Sequence, residues 1–380
     1  MTFLVVGFSI GMAKLAEQHG FLVNNSLGSY ISVHPILMVF GVIGGLLIAE
    51  KIEIMGRFLI LRRLPISYPI LVTMLTGIVL LSSGYAVGFT ILRYAGTALI
   101  VTAGLLFLWF MVSRRNPGNT WVKLIMGSAI AAFSIASIAE SMISATKSPA
   151  VALLLLSFPI LYILGERIEL GLMRNIRKNT MKLLGFSSTV IPFLLFVSYF
   201  YGSTLAGRTL FDAATVFFLI MILTSIKFDP STRKMKVYGK LQSFMQSGII
   251  SSYVWLLTGI FLYLVQVNVE RGFMDPATHS IALGFIGLFI IAHSPIIFPL
   301  TLKMKADTNH VTKLPIYAMN IAVFLRVGGD LISMRYEVGN LMAYSSVYIL
   351  IIAIFLFFFN ILRIRTSSET EAKGMMGNMT

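Results

Sequence analysis

At 380 residues, 57% hydrophobic and only 12% charged, the chain has too little polar surface to cover a soluble domain, so lipid must supply part of its surroundings. Backbone groups in lipid must pair within the chain, and apolar runs of about 20 residues do this as helices, so the fold class is all-α, a polytopic membrane helical bundle. The formal charge of +15 sits in short loops between apolar runs, where lipid and topology account for it without nucleic acid, and the absence of Cys excludes disulfides and thiolate metal sites.

Apolar runs bounded by charge, Pro and Gly predict twelve spans: 2–16, 33–50, 67–84, 90–112, 121–143, 149–165, 182–201, 209–226, 248–267, 280–300, 314–334 and 341–362. The first is short and ends in Lys14, Glu17 and Gln18; with no basic stretch before it and no clear cleavage site, it reads as a helix rather than a signal segment. Alternate loops differ in basic residues. One side carries Lys51, Arg57, Arg62, Arg63, Arg114, Arg115, Arg167, Arg174, Arg177 and Lys178, then Lys227, Arg233, Lys234, Lys236, Lys240, Lys303, Lys305, Arg363 and Arg365. The other offers little beyond Arg93, Lys147, Arg208, Arg271 and Arg335. Both termini are therefore expected in the cytoplasm, with even-numbered helices running inward across the cell membrane. Residues 1–365 are expected to form a single transmembrane domain. The polar tail at 366–380 is expected to be disordered.

Ionisable groups at membrane depth are costly and face the bundle interior, so function is sought there. His34 opens the second span as HPILMVFGVIGG, with Pro35 suited to the first turn and Met38, Gly41 and Gly45 on roughly its face; the competing reading is a helix start beside a small-residue packing face. His279 and His293 bracket the tenth span, HSIALGFIGLFIIAHS. Fourteen residues of α-helix would put the rings on roughly one face, about 21 Å apart, too far for one metal. Loop position pairs His34 with His279 at the outer mouth, whereas distance from the inner charges puts His34 between the two, so the pairing is open. Arg326 has Asp330 one turn on; it reads either as half of an intrahelical pair or as a bidentate anchor for a propionate or other anion. Arg93 with Tyr94 offers a similar anchor or a snorkelling contact. Glu140 and Asp212 near outer helix ends are proton-path candidates or ordinary interfacial groups, and His19 and His310 read as solvated loop residues.

The segments HPILMVFG at 34–41, SSYVWLLTG at 251–259, HSIALGFIG at 279–287 and NIAVFLR at 320–326 resemble the NnrS family. That resemblance implies a twelve-helix membrane protein holding haem and copper and linked to nitric oxide. Ser32 and Pro35 stand where the family pattern has a further His and a Glu, which counts against copper in particular. The layout also resembles the catalytic subunit of haem-copper oxidases, whose second and tenth helices carry haem ligands. The sixth and seventh spans lack the His cluster of those oxidases, so dioxygen reduction is not expected.

The leading expectation is a b-type haem protein with ligands drawn from His34, His279 and His293 and an electron donor such as quinol or a cytochrome. An open iron face would suit a haem-dependent, nitric oxide-related oxidoreductase; two filled faces would suit electron transfer. The alternatives are a small-solute transporter or channel with a His/Arg/Asp-lined path, and an accessory subunit of a respiratory complex.

Overall fold

The computed structural model describes residues 2–18, 31–58, 67–113, 120–172, 176–232, 240–269, 272–294 and 311–377. These form twelve helices, and no strand occurs among the described residues. They are α1 (Thr2–Gln18), α2 (33–58), α3 (Ser67–Ala86), α4 (Thr90–Ser113), α5 (Thr120–Met142) and α6 (Pro149–Gly171). The series continues with α7 (Lys178–Tyr201), α8 (Leu205–Phe228), α9 (Lys240–Val269), α10 (Met274–Ser294), α11 (Leu314–Ser333) and α12 (Val338–Gly377). Eleven are long and apolar enough to cross a membrane, and α1 adds a shorter apolar stretch, Thr2–Leu15. The protein is a multi-pass helical membrane protein. Several basic loops used to orient it, together with His19 and His310, lie outside the described residues.

The chain forms two compact units. One comprises Met1–Asp229 with Ile260–Met274, the other Pro230–Gly259 with Asp275–Thr380. α12 continues into the polar tail as far as Gly377. Its Glu, Ala, Lys and Met residues are good helix formers, and an existing helix removes the cost of nucleation.

In the first unit α6 is the most enclosed helix, with 89% of its apolar window buried. Ser148 caps its start by accepting the Val151 N–H at 3.4 Å, and Pro149 follows at the first position. Phe40 of α2, Phe133 of α5 and Phe158 of α6 meet edge-on, with ring centroids 5.0 and 4.9 Å apart, and form an apolar core beside the middle of α2. Lys51 Nζ reaches Glu166 Oε1 at 2.9 Å and joins α2 to α6. Arg167 of α6 makes a two-pronged pair with Asp229, just past α8, Nε to Oδ2 at 2.6 Å and Nη2 to Oδ1, and both residues are buried. Both charges are satisfied at their burial site, as low-dielectric surroundings require.

Small residues let the helices of the second unit approach closely. A Cβ on Gly329 would meet the Ala343 backbone nitrogen at 2.4 Å, bringing α11 and α12 together. Against α9, α10 packs by the same device: a Cβ on Gly284 would lie 2.5 Å from the Trp255 side chain, and one on Gly248 would lie 2.7 Å from Ala292 Cβ. Trp255 is fixed at both ends, its Nε1–H donating to Asn320 Oδ1 at 3.0 Å and its carbonyl accepting from Ser280 Oγ at 2.7 Å.

Candidate functional site

Neither helix bearing the histidines is a plain α-helix. In α2 a short α turn, Val33–Pro35, passes into a π-helical stretch, Ile36–Gly44, before α geometry resumes at Gly45. In α10 the α turn Met274–His279 passes into a second π stretch, Ser280–Gly287. Long runs of i→i+5 hydrogen bonding are rare, and such turns concentrate at functional sites. His34 and His279 occupy equivalent places, each within two residues of where the π geometry starts.

His34 packs on α1. Its Nδ1 lies 2.7 Å from the Gly7 carbonyl, and the ring sits where a Cβ on Gly11 would be, 2.6 Å from Cε1. Met38 lies against Gly7, and Phe3 against Gly41, so these two share the α1-facing side with His34 as expected. Gly45 does not: its nearest neighbour is Met74 of α3, at 3.6 Å. The π stretch shifts the phase, so the α-based face breaks before Gly45. Gly41 receives the Phe3 ring, a helix-packing role.

The start of α10 corrects the predicted boundary at 280. The helix begins at Met274, with Asp275 and Pro276 in its first turn. Gln266 Oε1 accepts from the N–H groups of Phe273 at 2.7 Å and Met274 at 3.0 Å, satisfying donors that a helix start leaves open. An apolar scan passes over such a polar opening. His279 therefore lies one turn inside the helix, and its Nδ1 reaches the Asp275 carbonyl at 2.9 Å. The Asp275 carboxylate is also near, with Oδ1 3.5 Å from the same nitrogen.

His293, near the end of the described part of α10, holds the Phe289 carbonyl through Nδ1 at 3.1 Å and stacks on the Phe289 ring at 4.0 Å. The shared face expected of His279 and His293 assumed unbroken α periodicity. With residues 280–287 in π geometry, that phase relation does not hold.

Arg326 resolves into a pair, and more. Its Nη1 bonds Asp330 Oδ1 one turn on, as the intrahelical reading expected, and its Nη2 also bonds Asp275 Oδ2 at 2.5 Å. Arg326 and Asp330 are buried, with Asp275 and His279 about one-fifth exposed. The ligand atoms of Asp275, His279 and Asp330 lie within 4.8 Å of one another, a spacing that could hold a metal ion. Asp275 was missed in the sequence. Its i−4 relation to His279 was a usable signal, hidden by starting the helix at 280.

The remaining candidates have local partners. Glu140 is fully buried and accepts the Ala145 N–H at 2.7 Å, closing the turn after α5, while its carbonyl accepts from Tyr85. Arg93 lies over the Tyr85 ring at 5.0 Å and bonds Thr90. Asp212 accepts from Asn268 at 3.2 Å.

A family model described as a domain of unknown function, DUF8744, matches residues 1–361. No curated protein matches the chain.

Proposed function

We propose that this chain, which belongs to the DUF8744 family, is a b-type haem protein of the cell membrane that handles nitric oxide or transfers electrons. One observation carries the reading: His34, His279 and His293, the three histidines in the described helices, each place Nδ1 within 3.1 Å of a backbone carbonyl. A ring held this way has its tautomer and orientation set, with Nε2 as the coordinating nitrogen. An imidazole that would hold iron needs the same two things. The donor set fits the group, and the NnrS-like segments lead to the same cofactor. Haem supplies one-electron redox chemistry and, with an open face, binding of a diatomic gas. His34 lies in the first unit, and His279 and His293 lie in the second. Arg326, engaged by two carboxylates, supports the reading as a charge partner more than as a propionate anchor. Quinol or a membrane cytochrome is the electron donor this reading calls for.

Purified protein from haem-replete cells is expected to be red, with a Soret band that shifts on reduction and on adding nitric oxide. His34→Ala, His279→Ala and His293→Ala, made singly, are expected to bleach or shift that band at the positions that ligate. A colourless, iron-free preparation would sink the proposal. A second reading, transport of a small solute, draws on the partly buried cluster of Asp275, His279, Arg326 and Asp330. Solute flux in liposomes by chromophore-free protein would favour it.

A further inference from the structure

We propose that Asp275 is a positioning residue that sets how strongly His279 donates to the iron it would hold, with Arg326 and Asp330 tuning Asp275 in turn; this rests on the haem reading above. The four residues lie in one unit, on α10 and α11. Asp275 meets the imidazole twice, through its carbonyl at 2.9 Å and its carboxylate at 3.5 Å from Nδ1. The carbonyl fixes the tautomer. The carboxylate adds negative charge beside an N–H donor, which makes the opposite nitrogen a stronger base. Arg326 pins the carboxylate at 2.5 Å, and Asp330 holds the other side of Arg326.

The Asp275 carboxylate places negative charge beside the ring, and Arg326 offsets part of it. The sign of its effect follows. Negative charge near a ligating imidazole stabilises the oxidised iron and lowers its reduction potential, a lever separate from ligand identity. Arg326 prevents the cluster from becoming doubly anionic at a buried position. It also decides against reading Asp275, His279 and Asp330 as a second metal site. Both carboxylates already hold a guanidinium, and a divalent ion placed among the same atoms would face that cation at contact range.

Asp275→Asn separates charge from geometry, because the main-chain carbonyl that orients His279 stays in place. In purified protein the variant is expected to keep its haem, to show an upward shift in midpoint potential, and to change the electron paramagnetic resonance g-values of the oxidised form. Asp275→Glu is expected to move both back toward wild type. A role in folding alone would change haem content or stability and leave the potential of the loaded fraction where it was. If Asp275→Asn loses haem, Asp330→Asn is the deciding variant: it keeps Asp275 and its carbonyl contact to the ring and removes the cluster's other negative charge, so the midpoint is again expected to rise. Haem retained with unchanged midpoint and g-values overturns the inference and leaves the haem reading standing. A haem-free wild type overturns both.

Discussion

Replacing Gly11 by Ala tests the placement of His34 through its packing, independently of any cofactor. The new Cβ would lie 2.6 Å from Cε1 and 3.0 Å from Nδ1 of the ring, whereas ordinary contacts begin near 3.4 Å. The ring must retreat from α1 by about 0.8 Å, the difference between those distances. Gly7, whose carbonyl meets Nδ1 at 2.7 Å, lies one turn away on the same helix, so the retreat stretches that bond toward 3.5 Å, where little of it remains. Losing a hydrogen bond costs about 0.5–1.5 kcal/mol, and overpacking costs about 1–3 kcal/mol. Together these predict a destabilisation of about 1.5–4.5 kcal/mol, read from denaturant or thermal unfolding in detergent. If the haem proposal holds, the haem-to-protein ratio falls as well. A Gly11→Ala protein as stable as wild type would refute the close packing of His34 on α1.

Two further outcomes follow from packing and charge. Adjacent glycines on α11 should respond in opposite directions. Gly328 has open space around a new Cβ, so Gly328→Ala is expected to stabilise by about 0.5–1 kcal/mol, whereas Gly329→Ala meets the α12 backbone at 2.4 Å and is expected to lower the melting temperature clearly. Arg167→Met strands the buried Asp229 carboxylate and is expected to cost about 3–5 kcal/mol, much of it recovered in the Arg167→Met/Asp229→Leu double variant; equal losses in single and double variants would refute the pairing.

Much of the site was legible one residue at a time. His34, His279 and His293 stood out as histidines in apolar runs, and the Arg326–Asp330 pair followed from four-residue spacing. The contacts that give these groups a chemical setting were not. Gly7 is 27 residues from His34, and Asp275 is 51 from Arg326, so no local period connects them. The Asp275–His279 spacing was local, but an apolar scan discards the polar first turn that contains it.

The sequence by itself determined the class and the helices, because lipid reads hydrophobicity along a single chain and a run long enough to cross must pair its backbone internally. Tertiary structure alone decided which side chains meet. That depends on helix phase and distance of approach, and here both are set by features with weak linear signals: two π stretches that shift the phase after His34 and His279, and glycines that admit a ring or a neighbouring backbone. A hydrophobic pattern is the same whether or not a helix widens by one hydrogen-bonding step, and only the packed neighbours record the difference.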